Sequence, residues 1–431
     1  MRTKISLLKA IIGRGLLFLG AGVVWLGLAM PAEAAMKPSE LKVAVVHFLS
    51  GAGAPHDEAA VNAARLLTEQ FNKENGIGGV KLNTIYVDEA GSTADKVAEF
   101  RRLVQDEKVD VVLGYTSSAH CLGVAPVAEE LKTLTIFPIC ANYRLFEQQR
   151  YRYVFRTSAH AASENIAAAY YVLQRNPDLK TIAGLNYDYA YGRDSWEMFK
   201  EAILKLKPDV EVTGELWTKF LATDYSAEIS RLLAAKPDVI HTVNWGAGLT
   251  AFIREARTRG LFNQSLVVAT TGLLDQAEMM PPGVAFSGRG YHLQSPDPGK
   301  DPLNRRFIES YRDMFGTLPD YTGHFMAQGF YGLKAAYEKA IEVKGGEWPT
   351  PEEVITVFTN LGFETPRGPV VVRADHQAVH EAMWGLTTGE VDPKFGYPVL
   401  EQMQVFPATQ VNAPLDVNPV DWIKSWPARG Q

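Results

Sequence analysis

Val109-Asp-Val-Val-Leu-Gly-Tyr-Thr-Ser-Ser-Ala-His-Cys121, continued by Phe137-Pro-Ile-Cys-Ala-Asn142, belongs to the stretch that decides the fold. Its first five residues form the short, nearly continuous apolar run that is typical of a buried parallel strand. A hydroxyl-rich turn at Tyr115 to Ser118 follows, and a helix begins near Ala119. The stretch therefore predicts strand, turn, helix and strand within an open α/β sheet.

The turn at Ser117 and Ser118 has a chemical implication of its own. The first N–H groups of a helix have no partner inside the helix and lie at the positive end of its dipole. Ligands of open α/β sheets bind beyond the carboxyl ends of the strands, so these two serines could hold a small carboxylate. An ordinary serine N-cap without a ligand explains the same pattern.

Strands and helices alternate along both halves of the chain. The first half predicts strands at 42–48, 82–87 and 109–114 with helices at 57–75 and 93–105, and the second predicts strands at 181–185, 210–216, 239–243 and 266–269 with helices at 192–206 and 225–235 and another ending at 259. This alternation predicts an α/β fold with two doubly wound, mostly parallel sheets.

The pattern changes beyond residue 283. We expect strands at 284–292, 368–372, 382–388 and 402–406, helices at 303–315, 322–343 and 351–360, and a tail from residue 411 that lies over the surface. Polar and aromatic side chains collect on the loops that leave predicted strands, where a crevice would gather them: Ser50, Ser117, Ser118, Tyr187, Tyr189, Tyr191, Trp245 and Thr271.

Composition limits the classes of partner. The 431 residues are 46% hydrophobic and 21% charged, which suits a globular chain with two domains. The formal net charge is -6. Nucleic acid and anionic membrane surfaces favour a basic face, so neither is expected as the main partner.

The N-terminus predicts export. Arg2 and Lys4 precede an apolar run, and Ala32-Glu33-Ala34 gives the small-x-small pattern of a cleavage site before Ala35. Residues 1–34 are therefore expected to be a cleaved signal peptide, which places the mature chain in the periplasm. A membrane anchor is the competing interpretation, but the run is shorter than the ~20 residues that span a bilayer.

The chain has two cysteines, Cys121 and Cys140. Both should lie at the same edge of the first sheet, one in the first turn of a helix and one at the end of the next strand. Export permits a disulfide between them, and two buried free thiols are the alternative.

The sequence contains no Gly-x-Ser-x-Gly elbow, phosphate-binding loop or Cys-x-x-Cys pair. The best candidates for metal ligands are His376, His380 and Glu381. They lie in what should be a turn after a strand, and the glutamate that zinc proteases place between two histidines is missing. We therefore expect no enzyme activity, no metal and no cofactor, with a secreted metal hydrolase as the remote alternative.

Several segments together resemble the branched-chain amino-acid-binding family, which are periplasmic type I solute receptors of ABC transporters. They occur in the order Leu49–Gly51 (LSG), Gly114–Ser118 (GYTSS), Ala125–Glu129 (APVAE), Tyr153–Thr157 (YVFRT) and Asp188–Gly192 (DYAYG). The resemblance extends from about Lys42 to Phe406.

The resemblance implies two lobes that are joined by a three-segment hinge and close on the ligand. Residues 35–156 and 294–378 would form lobe 1, residues 157–293 and 379–406 lobe 2, and residues 407–431 a C-terminal tail. The ligand contacts of the family would fall on His56, Ser117, Ser118, Ile139, Ala141, Asn142, Tyr191, Trp245 and Leu273. The partners would be a permease and an ATPase in the inner membrane, with the receptor itself a monomer.

Two departures from the family bear on the ligand. Where amino-acid binders place an acid for the ligand's ammonium group, this chain has Gly272-Leu273-Leu274, although Asp275 is close by. Trp245 adds to an aromatic wall that suits a flat or apolar body. These residues favour a small carboxylate without an α-amino group, an aromatic acid above all. The alternatives are an amino-acid, amide or urea receptor of this family and a sensory receptor.

Overall fold

The computed structural model of the chain describes residues 36–147, 149–289 and 301–427. The predicted signal peptide at 1–34 and the predicted lobe crossing near 293 lie outside the described residues. The described residues group as one compact unit. Within the described part of the chain, none of the helices is long and apolar enough to cross a membrane.

The strands form three sheets. The first consists of β1 (Glu40–His47), β2 (Lys81–Asp88), β3 (Val111–Gly114), β4 (Leu134–Phe137) and β5 (Val154–Arg156), in the order β2-β1-β3-β4-β5. The second consists of β6 (Thr181–Tyr187), β7 (Glu211–Thr218), β8 (Val239–Thr242), β9 (Leu266–Ala269), β10 (Ala285–Phe286), β14 (Ala382–Val391) and β15 (Pro398–Phe406), in the order β15-β14-β10-β9-β8-β6-β7. A small third sheet contains β11 (Gly362–Phe363), β12 (Val370–Val372) and β13 (Ala378–Val379).

The first sheet is parallel throughout, and β6 to β10 of the second are parallel to one another. Only β14 and β15 add antiparallel pairs to the second sheet. The predicted α/β fold with two doubly wound, mostly parallel sheets is therefore confirmed. The lobe boundaries stay predictions.

Helices cover both faces of the sheets. They are α1 (Ala54–Lys73), α2 (Thr93–Gln105), α3 (Ser118–Glu130), α4 (Ala161–Arg175), α5 (Ala190–Leu206), α6 (Ser226–Ala235), α7 (Gly246–Thr258), α8 (Leu274–Met279), α9 (Pro302–Phe315), α10 (Tyr321–Val343), α11 (Pro351–Phe358), α12 (Ala408–Val411) and α13 (Pro419–Ser425). In the parallel part of each sheet, a helix follows nearly every strand, which is the pattern that right-handed crossover connections produce.

The start of α1 differs from the start of the predicted helix at 57–75. The helix begins at Ala54, three residues earlier than expected, because Pro55 fits the first turn of a helix, where its missing N–H costs no hydrogen bond. A short 3-10 turn at Gly51–Gly53 leads into it. This early start places His56 and Asp57 on the first turn of a helix, where both side chains are buried.

The tail packs more tightly than a surface segment would. α12 and α13 bury Val411 and Ile423 completely, and both side chains join the core that lies against α4 and α5.

The predicted strand at 284–292 is also shorter than expected, since the described part pairs only at Ala285 and Phe286.

Candidate functional site

The carboxyl ends of both parallel sheets border a small cavity with an empty volume of about 230 Å³, which we call the inner cavity. Nearly all of its lining residues follow directly after strands of the two sheets, and Tyr321 opens α10. The lining residues are His56, Thr116, Ser118, Ile139, Ala141, Tyr189, Tyr191, Trp245, Thr271, Arg289 and Tyr321.

Most of the predicted contact residues come together here. His56, Ser118, Ile139, Ala141, Tyr191 and Trp245 line the inner cavity. Ser117 and Asn142 do not line it, although each is next to a residue that does. Leu273 and Asp275 line a larger, more open groove instead, which we call the outer groove. Of the described residues, His56 alone lines both the outer groove and the inner cavity.

An internal carboxylate occupies the anion position that the sequence assigned to a ligand. Glu89, in the loop after β2, accepts hydrogen bonds from the N–H groups of Thr116 and Ser117, both at 2.8 Å. Its Oε1 also lies 2.9 Å from Nδ1 of His120. The N–H group of Ser117 is therefore already satisfied inside the first sheet.

Ser118 has a different role. Its Oγ accepts the N–H groups of Ala141 and Asn142, both at 3.2 Å, which ties α3 to the loop after β4. Because a hydroxyl can donate as well as accept, this arrangement leaves the hydrogen of Ser118 available to the inner cavity that the residue lines.

Arg289 is a lining residue that the sequence analysis missed. Its side chain is buried, and its Nε donates to Oε1 of Glu164 at 2.6 Å. The other oxygen of Glu164 accepts the hydroxyl of Tyr191 at 3.1 Å. Nη2 of Arg289 is buried and has no hydrogen-bond partner among the residues that the structure describes. Burial opposes the charge of Arg289, but the Glu164 carboxylate outweighs it and raises the pKa of the guanidinium.

No simple sequence signal points to Arg289. It lies three residues beyond the last described strand of the parallel series, β10, at the same sheet edge as the other lining residues. The strand predicted at 284–292 includes Arg289. The prediction therefore placed this residue inside a strand and not in the loop after it, where a functional side chain would be expected.

The aromatic wall of the inner cavity centres on Trp245. This side chain is 3% exposed and lies 4.6 Å from the ring of His56 and 5.9 Å from that of Phe48, measured between centroids. Its Nε1 donates to the hydroxyl of Tyr189 at 2.7 Å. The following residue, Gly246, has a φ of 63°, and a side chain there would approach the carbonyl of Ala52 to 3.1 Å. A glycine thus allows close contact between the segments that follow β8 and β1.

A network of buried polar groups lies behind His56. Nε2 of His56 is 2.5 Å from the hydroxyl of Tyr321, and its Nδ1 is 2.8 Å from Oδ1 of Asp57. Asp57 also contacts Nδ1 of His47 at 3.1 Å and accepts the hydroxyl of Thr116 at 2.8 Å. The network therefore extends from the inner cavity into the core of the first sheet.

The pKa values of Asp57 and Glu89, two buried carboxylates of this region, are shifted in opposite directions. Burial alone would raise the pKa of Asp57, but the charge and hydrogen bond of His47 and the hydrogen bond of His56 hold it well below its usual range. Burial raises the pKa of Glu89, and the charge of Asp57 raises it further, against the hydrogen bond of His120. A second carboxylate charge is thus disfavoured close to Asp57.

The two cysteines and the predicted metal candidates are not among the lining residues of the inner cavity. Cys121 and Cys140 form a disulfide with a Cα separation of 6.6 Å. The ring nitrogens of His376 contact the carbonyl of Val154 and the hydroxyl of Thr359, while those of His380 contact the carbonyl of Thr157 and Nη1 of Arg367. Both imidazoles therefore hold the backbone near β5 and the third sheet.

The chain belongs to the periplasmic binding protein family, whose family model matches residues 40–388. It is 26% identical over 244 residues to the leucine-specific-binding protein of Salmonella typhimurium, a match that covers 57% of this chain and 64% of that protein. It is 25% identical to the leucine-, isoleucine-, valine-, threonine- and alanine-binding protein of Pseudomonas aeruginosa, over 78% of this chain and 87% of that protein.

Solved structures show the same fold. A solute-binding protein of an ABC transporter from R. palustris, in complex with benzoate, superposes with a TM-score of 0.75 at 21% sequence identity. That match covers 88% of this chain and 99% of the other. The two-lobe periplasmic binding protein fold that the sequence predicted is therefore confirmed.

Proposed function

We propose that this chain is the substrate-binding component of an ABC importer and captures a small aromatic carboxylate between its lobes. The observation that carries the proposal is Arg289, whose Nη2 is buried beside a cavity walled by aromatic rings and has no partner within the described ranges. A carboxylate oxygen is the natural acceptor for a guanidinium N–H group. Ser118 supplies a second donor from the opposite sheet.

The lining favours an acid without an amino group. Among the described residues that line the inner cavity, none is an aspartate or a glutamate. The ammonium group of an amino acid would therefore be buried without a counter-charge, which is costly. Asp275 lines the outer groove, and Glu164 is already bound by Arg289 and Tyr191.

The walls of the inner cavity favour a flat molecule. Tyr189, Tyr191 and Trp245 offer ring faces and edges against which an aromatic body can pack. The benzoate complex of the R. palustris protein supports this ligand class, whereas the leucine-binding relatives support the amino-acid alternative.

The proposed setting follows the family. The mature chain would act in the periplasm as a monomer, after removal of residues 1–34, and would deliver its ligand to a permease and an ATPase in the inner membrane. The proposed site also includes Ser117 and Asn142, which are next to lining residues in the sequence, and Leu273, which lines the outer groove. The predicted lobe boundaries remain part of the proposal.

Calorimetric titration of the mature protein tests the ligand class. We expect binding of benzoate or cinnamate, weaker binding of benzamide, and no binding of leucine or valine. Arg289→Gln should weaken benzoate binding about 100-fold, since a charge-assisted hydrogen bond in a buried site is worth about 3 kcal/mol. Arg254→Gln, on the wall of the outer groove, is the matched control and should bind normally.

Three outcomes would contradict the proposal. Tight binding of leucine or valine with no binding of aromatic acids would assign the chain to the amino-acid receptors. Benzoate affinity that is equal in Arg289→Gln and wild type would remove Arg289 from the site. Binding of amides or urea in preference to carboxylates would support the neutral-ligand alternative.

A further inference from the structure

Among the described residues that line the inner cavity, no cation is left unpaired to balance an added anion. Arg289 is the single lysine or arginine of this lining, and Glu164 is paired with it at 2.6 Å. Asp57, directly behind His56, is a buried carboxylate that is paired with His47. A ligand carboxylate would add a further negative charge out of contact with water, and such a charge is strongly unfavourable unless a positive charge accompanies it.

We propose that the site takes up one proton together with its carboxylate ligand, and that the imidazole of His56 accepts this proton. The inference rests on the proposed function and adds to it a charge requirement and a specificity-determining residue. Histidine is suited to this role because it changes charge between about pH 5 and 8.

The hydrogen bonds of His56 give the proton a structural effect. A carboxylate can only accept, so Asp57 fixes the hydrogen of a neutral imidazole on Nδ1, at 2.8 Å. Nε2 must then accept the hydroxyl hydrogen of Tyr321, at 2.5 Å. In this state the hydroxyl of Tyr321 cannot donate to anything else.

Protonation of His56 reverses the second bond. Nε2 then donates to the oxygen of Tyr321, and the hydroxyl hydrogen of Tyr321 becomes free to point into the inner cavity, which this residue lines. One proton therefore supplies a compensating charge and also converts Tyr321 into a donor for the ligand carboxylate.

The groups that face His56 come from several elements. Asp57 lies on the same helix as His56 and forms hydrogen bonds with His47 and Thr116. The N–H group of Thr116 donates in turn to Glu89, which also contacts His120. From α10 comes Tyr321, and the guanidinium carbon of Arg289 lies 5.3 Å from the centre of that ring. From the second sheet come the uncharged ring of Trp245 and the hydroxyl of Tyr189.

The outer groove adds further carboxylates. His56 shares this space with Glu58, Asp275, Glu278, Asp320 and one cation, Arg254. Burial raises the pKa of Asp320 to about 7, so this group also titrates in the neutral range and needs its own control. The incoming proton thus enters a region where carboxylates outnumber cations.

Calorimetry in buffers of different ionisation enthalpy counts the protons. Benzoate is titrated into the mature protein at pH 6, 7 and 8, in phosphate and in Tris. We expect uptake of nearly one proton at pH 8, less at pH 6, and a Kd that rises toward about tenfold per pH unit on the alkaline side. Benzoate binding without proton uptake, at a pH-independent Kd, would overturn the inference and leave the proposed function standing. Absence of benzoate binding at every pH would overturn both.

Variants assign the proton to a residue. His56→Gln should bind benzoate more weakly and with no proton uptake, and Tyr321→Phe should lose affinity and most of the pH dependence. His120→Gln, another buried histidine that does not line the cavity, should keep full uptake, as should Asp320→Asn. Circular dichroism melting checks that each variant is folded. Full uptake in a folded His56→Gln protein would overturn the assignment to His56.

Discussion

Nε of Arg289 donates to Oε1 of Glu164 at 2.6 Å, and both side chains are almost completely buried. The two residues come from distant parts of the sequence, one at the start of α4 and one beyond β10. Their pairing holds the guanidinium at the edge of the inner cavity, where its Nη2 has no partner in the part of the chain that the structure describes. The pair carries no net charge before a ligand binds.

Glu164→Gln tests this pairing. Removal of one partner from a buried ion pair leaves an uncompensated charge, so the ligand-free variant should lose about 3–5 kcal/mol of unfolding free energy in urea denaturation. Benzoate should raise the melting temperature of the variant by more than that of the wild type, because the ligand becomes the counter-ion of Arg289. Unchanged stability would contradict the prediction. Glu197→Gln, at a half-exposed pair with Arg144, is the control.

Trp245→Ala should affect both binding and stability. The sequence analysis treated Trp245 as a cleft residue, but its ring is 3% exposed and packs on Phe48 and His56 from the first sheet. Truncation of a buried tryptophan costs about 3–5 kcal/mol, so the melting temperature should fall together with benzoate affinity. Trp217→Ala, whose ring is only partly buried, should change neither by a comparable amount. Weaker binding at unchanged stability would show that the packing on Trp245 contributes little to the fold.

The disulfide between Cys121 and Cys140 should contribute to stability. The two residues are 19 positions apart, and closure of a loop of this length is worth about 3 kcal/mol in the chain-entropy account. The Cys121→Ser/Cys140→Ser protein should therefore unfold at lower urea concentration than the oxidised wild type. A reductant should destabilise the wild type and leave the double variant unchanged. Equal midpoints for the two proteins would contradict the prediction.

Asp320 should make stability depend on pH. Its carboxylate accepts the N–H groups of Leu274 and Tyr321, and burial raises its pKa from 3.8 to about 7. Between about pH 4 and 7 the folded state holds a proton that the unfolded state has released. The free energy of unfolding should therefore fall as pH rises through this window, by at most about 4 kcal/mol.

Urea denaturation across this pH range measures the effect. Asp320→Asn should flatten the profile between about pH 4 and 7. Asp301→Asn makes the same change at the N-cap of another helix, α9, and is the control that should keep the wild-type slope. A slope that persists in Asp320→Asn would assign the titration to another group.

Several residues that line the inner cavity could be predicted from the sequence because of a general property of parallel sheets. Ser118, Tyr191 and Trp245 each follow a predicted strand, and the carboxyl ends of parallel strands meet at one edge. The family resemblance then added His56, Ile139 and Ala141, which carry no recognisable chemical pattern of their own. All six line the inner cavity.

Other parts of the site could not be predicted in this way. Glu89 fills the anion position near Ser117 because β2 lies beside β1 in the sheet, and strand order is not written in local periodicity. Arg289 depends on where β10 ends, and helix and strand boundaries are the least certain part of any pattern-based prediction. The link between His56 and Tyr321 joins residues 265 positions apart.

The sequence by itself determined the alternation of strands and helices, the apolar strands and the aromatic loops, because periodicity and turn chemistry are local properties of the chain. Only the tertiary structure decided which charges meet. It paired Arg289 with Glu164, gave Glu89 the N–H groups of Thr116 and Ser117, and placed His56 between Asp57 and Tyr321. Buried charges and hydrogen bonds act over a few ångströms between residues far apart in sequence, so their balance exists only after the chain has folded.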